Sequence, residues 1–151
     1  MREILFRGQT RRYGEKVRTG DGEKIPSRWV YGGVFQGVGC HSVIYGGENE
    51  NNPSEGLDKW VVYTDTLGQF TGLTDKNGKK IFEGDIVVVC YEQSTGESEK
   101  EVKKVHYNST ECCWYPMRWD EHCEFCDNWT EVTSIEVIGN IHDNPELMED
   151  V

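Results

Sequence analysis

Residues 69–91 read QFTGLTDKNGKKIFEGDIVVVCY, and this stretch decides the fold. The DKNG sequence at 75–78 is typical of a hairpin turn whose glycine takes a positive φ, so the residues on either side form two paired strands. The EGD sequence at 83–85 then turns the chain into Ile86–Tyr91, an almost uninterrupted apolar run that contains Cys90. Such a run is typical of a strand buried on both faces. The stretch therefore predicts a β-hairpin followed by the central strand of the core.

The composition points to the same fold class. The chain of 151 residues has no Ala, only 5 Leu and 3 Met, and as many as 15 Val and 8 Ile. This balance disfavours helices and suits half-buried strands, and the length suffices for one domain with its own core. A helical bundle is excluded. We expect a mainly β fold, either a small bent sheet or an SH3-like, partly open barrel, over about residues 67–141.

The rest of the chain is expected to add strands around this centre. We predict a single domain with an N-terminal β lobe at 1–64 and a core lobe at 67–147. A basic stretch at 8–24 follows the first strand as a loop or a loose hairpin, and an acidic loop occupies 46–58. Gly32 and Gly33 predict a bulge or a close backbone approach within the second strand. The strands expected outside the central stretch are Arg2–Arg7, Arg28–Gln36, Val43–Tyr45, Lys59–Thr64, Val102–Tyr107 and Ser134–Ile141.

The C-terminal sequence predicts one short helix. Asn144 is typical of an N-cap residue, and Pro145 of the first helical position.

Two dense blocks, at 69–87 and 135–147, resemble the YopX family, as do the opening residues 1–7 and the segment 29–32. The resemblance implies a small β-rich protein encoded by a phage or by a prophage region of a bacterial genome. It implies no reaction, because the members of the family have no established biochemical activity. The cysteine-rich stretch 109–130 departs from the shared pattern.

The residues of the first block have a structural interpretation. Gly72, Gly78 and Gly84 suit turn or bulge positions, and Asp75 and Asp85 are placed to accept hydrogen bonds from turn amides. A divalent-cation loop of the EF-hand type is the alternative. It fails on register, since a glycine at the sixth position and a bidentate Glu at the twelfth are both missing.

A zinc site is the main chemical alternative to a chain without cofactors. Cys123 and Cys126 form a C-x2-C pair, and Cys113 with His122 would complete four ligands, although Cys112 and His106 compete for these places. The pattern is incomplete because Cys112 and Cys113 are adjacent and do not make a second C-x2-C pair. Free thiols in a loop are the simpler interpretation, so no cofactor is expected, and a bound zinc ion would be structural.

No pattern in the sequence indicates catalysis. The four His are scattered, and neither a Gly-x-Ser-x-Gly sequence nor a glycine-rich phosphate loop is present. We therefore do not expect an enzyme. Since no apolar run approaches the length of a membrane span and the first residues do not resemble a signal peptide, we expect a cytoplasmic protein of the bacterial host cell.

Charge is unevenly distributed along the chain. The net charge is -11, yet residues 1–30 carry 8 basic and 4 acidic groups, whereas residues 111–151 carry 1 basic and 11 acidic groups. An acidic chain repels nucleic acid. The basic head and the acidic tail can attract each other within one chain or between chains, which predicts a homo-oligomer that salt weakens.

Three functions follow from these patterns. The leading hypothesis is a non-enzymatic phage or prophage accessory protein that binds another protein or itself. A second is a zinc-ordered module with weak nucleic-acid contact through its arginines. A third is an acidic DNA mimic that inhibits a host DNA-binding protein. The arginines of the second hypothesis are Arg7, Arg11, Arg12, Arg18 and Arg28.

Overall fold

A computed structural model describes residues 2–12, 27–37, 39–117 and 130–149, and residues 130 and 131 by their backbone only. The chain divides into two compact units, residues 1–72 and 73–151. The prediction of a mainly β fold is confirmed, and none of the described sheets closes into a barrel. The strands are β1 Phe6–Arg11, β2 Arg28–Phe35, β3 His41–Gly47, β4 Asp58–Tyr63, β5 Gly68–Thr74, β6 Lys80–Phe82, β7 Asp85–Gln93, β8 Ser98–Lys104, β9 His106–Asn108, β10 Cys113–Tyr115 and β11 Thr130–Asn140.

The first unit is built on antiparallel strands in the order β4-β3-β2-β1-β5. Its core is a cluster of three fully buried side chains, Val30, Ile44 and Val62, from three different strands. Strand β1 passes close to this cluster at Gly8, where a Cβ atom would lie 2.9 Å from the Val62 side chain. Glycine therefore lets the backbone of β1 lie directly on the core.

The first strand lies later in the sequence than predicted. A strand was expected at Arg2–Arg7 and a loop or a loose hairpin from Gly8 onward, but β1 runs from Phe6 to Arg11 and pairs with both β2 and β5. Polar residues are accommodated because the buried backbone amide of Gln9 donates to the Thr66 hydroxyl at 2.9 Å. The polar residues from Gly8 onward disfavour a strand locally. A strand forms there because tertiary hydrogen bonds outweigh local propensity.

The predicted close approach at Gly32 is confirmed. Gly32 faces Gly46 in the β2–β3 register. A Cβ atom on Gly46 would overlap the carbonyl oxygen of Tyr31, and one on Gly32 would overlap that of Tyr45. The predicted strand Val43–Tyr45 lies within β3 and pairs with β2 in the same register.

The second unit contains a three-stranded antiparallel sheet in the order β11-β7-β8. Its core is a cluster of Ile81, Val87, Val89 and Val105, each at most 1% exposed. Strand β7 is central, as predicted, and its neighbouring residues Ile86 and Val87 are both fully buried although they point to opposite faces. Further along β7 one face is only half-buried, and Cys90 lies on that face.

The predicted hairpin before β7 is confirmed. The Asp75 amide donates to the Lys79 carbonyl at 2.8 Å, and the Gly78 amide donates to the Asp75 carbonyl at 3.0 Å. Gly78 has a φ of 81°, which glycine adopts without steric cost.

The C-terminal helix is shorter than a regular α-helix. Pro145–Met148 forms a single 3-10 turn, and the Asn144 side chain makes no capping bond to it. The Asn144 amide oxygen instead accepts from the Asn140 backbone amide at 3.4 Å. Across the described ranges, no helix has the length and apolar character needed to cross a membrane.

Candidate protein-binding surface

Strand β3 separates the two faces of the first sheet. Ser42 and Ile44 are buried, whereas Val43 and Tyr45 point to the opposite face because successive side chains of a strand alternate. The apolar residues of β3 therefore supply both the core and the outer face. Ile44 packs in the core cluster with Val30 and Val62, whereas Tyr45 on the other face is exposed.

The outer face carries a row of apolar side chains across three strands. Phe35, Val43 and Val61 are opposite one another in the β2–β3–β4 register. Phe35 is 69% exposed, Val61 is 56% exposed, and Tyr45, two residues along β3, is 53% exposed. We call Phe35, Val43, Tyr45 and Val61 the apolar face. Its members lie side by side in one surface, which distinguishes them from scattered exposed apolar residues.

A groove lies beside the apolar face and shares Tyr45 with it. It has a volume of about 300 Å³ and is lined mainly by Ile4, Leu5, Tyr45, Pro53 and Leu57. Leu5 is buried, while Ile4 and Leu57 are exposed large apolar residues. We call this feature the groove. The arrangement can hold an apolar side chain of a partner.

The described arginines of the basic head mostly have partners within the first unit. Arg7 is 6% exposed, and its guanidinium lies 4.7 Å from the centre of the Trp29 ring. Arg12 forms an ion pair with Asp65 at 2.9 Å. Arg11 is exposed at the end of β1, and Arg18 lies outside the described residues.

Arg28 makes the best-defined pair of this group. It donates to both carboxylate oxygens of Glu48, at 2.6 and 3.0 Å. These hydrogen bonds lower the pKa of Glu48 and raise that of Arg28. The Arg28 guanidinium also lies 4.8 Å from the centre of the Trp60 ring. A guanidinium held by a carboxylate and an aromatic ring is less available to a phosphate group.

The Asp75 carboxylate binds backbone amides of the second unit. Its carboxylate accepts from the amides of Asn77 and Lys79 at 2.9 Å and from the amide of Val137 at 3.0 Å. Burial alone would raise the pKa of Asp75, but these backbone hydrogen bonds and the charge of Lys79 leave it lowered. The predicted turn-bonding role is confirmed, and the bond to Val137 additionally ties the hairpin turn to β11.

Asp85 has the same kind of role. Its carboxylate accepts from the buried amide of Phe82 at 2.8 Å. Gly72 and Gly84 both have a φ of 86°. Gly84 lies in the turn between β6 and β7, as predicted, whereas Gly72 lies within β5. The polar residues of the block therefore stabilise turns.

Only part of the candidate zinc site lies within the described residues. Cys113 is half-buried at the start of β10, and its sulfur lies 3.8 Å from a carboxylate oxygen of Glu111. His122, Cys123 and Cys126 lie outside the described residues. The zinc site therefore stays a prediction.

Comparison with known proteins identifies the family. The model of the YopX family, described as "YopX protein", matches residues 27–149. The chain belongs to the YopX family. No curated protein matches it. Among solved structures, it is similar to the crystal structure of protein EF1440 from Enterococcus faecalis, with 22% sequence identity, coverage of 97% of this chain and 98% of that chain, and a TM-score of 0.41.

Sequence reasoning singled out the block that this YopX-family chain uses for structure and missed the apolar face. A signal was present in the runs Val43–Tyr45 and Trp60–Val62, which put apolar residues on both faces of a strand. Such a run fits a strand buried on both sides equally well. Only the sheet register shows that one of the two faces is exposed.

Proposed function

We propose that this YopX-family chain is a non-enzymatic phage or prophage protein that acts in the bacterial cytoplasm by binding protein, and that it self-associates. The observation that carries the proposal is the apolar face, where three large apolar side chains are more than half exposed. Covering them yields about 25 cal/mol for each Å² removed from water. Contiguous exposed apolar surface of this kind typically marks an interaction site.

A second copy of the chain is a suitable partner for the apolar face. A chain of net charge -11 repels its copies at long range, so a contact must avoid bringing carboxylates together. The residues beside Tyr45 in the sheet register are Gly33 and Lys59, neither of which is acidic. This row of the sheet therefore adds no carboxylate to a contact between two copies related by a twofold axis.

Apolar contact supports self-association better than attraction between head and tail. Arg12 and Arg28 already form ion pairs within the first unit, with Asp65 and Glu48. Salt screens charge attraction and leaves apolar contact largely intact. Because four side chains cover only part of the roughly 800 Å² per partner of a standard interface, we expect weak association.

Sedimentation velocity over a concentration series tests the proposal. We expect the mean mass of the wild type to rise with concentration at low and at high salt. Phe35→Ser should raise the dissociation constant about tenfold, the equivalent of about 1.4 kcal/mol. Tyr107→Ser is the matched control, because Tyr107 is 47% exposed in the second unit. A monomer at every concentration, or equal effects of the two substitutions, would contradict self-association through this face.

The other hypotheses receive less support. Nucleic-acid contact through the arginines is disfavoured by the burial of Arg7 and by the ion pairs of Arg12 and Arg28. The DNA-mimic hypothesis rests on net charge alone. Metal analysis of the purified protein tests the zinc hypothesis, since near-stoichiometric zinc would support it.

A further inference from the structure

We propose that the groove binds an apolar side chain of a partner protein that is flanked by Lys or Arg. This goes beyond self-association through the apolar face, because it assigns a second site and a different occupant. The groove and the apolar face share Tyr45, but the other residues of the apolar face do not line the groove.

The floor of the groove is apolar and open. Leu5 is only 2% exposed and forms part of this floor, and Gly32 and Gly33 lie beside it. A Cβ atom added at Gly33 would meet no atom within 4 Å. The missing side chain of Gly33 therefore leaves space that a side chain from a partner can fill.

The walls of the groove are apolar side chains that a partner would cover. Ile4 is 73% exposed and Leu57 is 68% exposed, and Pro53 adds a rigid apolar surface next to them. A volume of about 300 Å³ is at the small end of ligand sites. The groove thus suits one or two side chains of a peptide segment.

An acidic loop supplies part of these walls. The loop 48–58, which supplies Pro53 and Leu57, carries four acidic residues and no basic one. Its Glu48 is paired with Arg28, but the contacts of Glu55 and Asp58 are with neutral amides. The four acidic residues of the loop are Glu48, Glu50, Glu55 and Asp58.

The opposite side of the groove adds another carboxylate. Glu3 lines the groove next to Ile4. In the sheet register Lys59 pairs with Tyr45 from β4, on the other side of β3 from Gly33, and neither Lys59 nor Arg2, which precedes Glu3, lines the groove. An apolar groove that is lined by one carboxylate and lies beside an acidic loop is complementary to an apolar anchor flanked by basic residues, and it repels acidic segments and nucleic acid.

Fluorescence anisotropy with three labelled hexapeptides tests this complementarity. KKLFRK carries apolar anchors and basic flanks, EELFDE reverses the flanking charges, and KKSSRK removes the anchors. We expect KKLFRK to bind at least about tenfold more tightly than either control, since burying one Leu-sized side chain contributes about 1.5 kcal/mol or more. Equal binding of KKLFRK and KKSSRK would overturn the role of the groove, and equal binding of KKLFRK and EELFDE would overturn the role of Glu3 and the acidic loop.

Two variants tie the binding to the groove. Gly33→Val fills the open floor and is expected to fold, because the added side chain meets open space. Leu57→Ser removes one wall at an exposed position. Each should weaken binding of KKLFRK about tenfold, whereas Tyr107→Ser should leave it unchanged. Unchanged binding in Gly33→Val, with a native thermal unfolding midpoint, would overturn the proposal.

The test separates this proposal from self-association. Phe35 lies in the apolar face and does not line the groove, so Phe35→Ser should weaken self-association and spare binding of KKLFRK. Peptide binding that is lost in Phe35→Ser as strongly as in Gly33→Val would contradict a separate groove site. Self-association without binding of KKLFRK would overturn the groove proposal alone.

Discussion

The two units use their exposed and polar residues differently. The first unit presents an apolar face and a groove, and most of its described arginines are held by neighbouring carboxylates and aromatic rings. The second unit uses Asp75 and Asp85 to bind backbone amides of its turns. Its strand β8 is charged, with three lysines, a composition that discourages pairing with a further strand.

The most distinctive block of the sequence and the apolar face therefore lie in different parts of the chain. The block that identifies the family lies mostly in the second unit and serves the hairpin, the turn and the buried strand. The apolar face and the groove, which we propose as binding surfaces, lie in the first unit. A distinctive sequence motif can therefore serve the fold, while other residues of the chain form a binding surface.

The largest effect is expected in the first unit, where Gly32 and Gly46 let strands β2 and β3 approach each other closely. Gly46→Ala would place a Cβ atom on the Tyr31 carbonyl oxygen, and the strands would have to separate. We expect a loss of more than about 4 kcal/mol in stability. Hydrogen exchange should show lost protection in β2 and β3 while β7 remains protected. Gly33→Ala is the control and should cost nothing, because its added atom meets open space. Equal stability of Gly46→Ala and Gly33→Ala would contradict the close approach of β2 and β3 at Gly46.

The next effect concerns the carboxylate that holds the second unit. Asp75→Ala removes the acceptor of three backbone amides, two in the turn and one in β11. We expect a loss of about 3 kcal/mol, since a hydrogen bond to a charged group contributes about 1.5–3 kcal/mol. Urea unfolding measures it. Asp65→Ala is the matched control in the first unit, where an exposed ion pair contributes less than about 1 kcal/mol. Similar losses in both variants would contradict the assigned role of Asp75.

Acid should affect the second unit through the same carboxylate. The pKa of Asp75 is lowered in the folded chain below its ordinary value of 3.8, so the carboxylate stabilises the fold fully above that pH. This stabilisation is lost as the pH falls through the folded pKa. Unfolding free energy measured in steps below pH 3.8 should therefore decrease more steeply in the wild type than in Asp75→Asn. Equal slopes would show that Asp75 does not contribute.

The smallest effect on stability is expected at the apolar face. Phe35→Ser changes a side chain that is 69% exposed, so its unfolding free energy should stay within about 0.5 kcal/mol of the wild type. Thermal unfolding of the dilute protein, where self-association is weak, measures this difference. A loss above about 2 kcal/mol would indicate that Phe35 belongs to the core of the first unit and not to a binding surface.

Much of the fold could be predicted because its determinants are local. The DKNG turn, the positive φ of Gly78 and the apolar run of β7 depend on neighbouring residues, and all three predictions are confirmed. The close approach at Gly32 was also predictable, because two adjacent glycines within a strand are typical of a place where another backbone passes close by.

The errors have tertiary causes. The extent of β1 depends on the hydrogen bond from Gln9 to Thr66, which are 57 positions apart in sequence. The C-terminal turn remains short because Asn144 accepts from Asn140 and does not cap a helix. The apolar face was missed because the runs at Val43–Tyr45 and Trp60–Val62 do not reveal which side of a sheet is covered.

Hydroxyl-radical footprinting against protein concentration tests the central claim most directly, because it measures the accessibility of individual side chains. We predict that the oxidation rates of Phe35 and Tyr45 fall as the protein associates, while the rate of Tyr107 in the second unit stays constant. This result would place the binding surface on the first unit. Falling oxidation of Tyr107 with constant oxidation of Phe35 and Tyr45 would contradict the account.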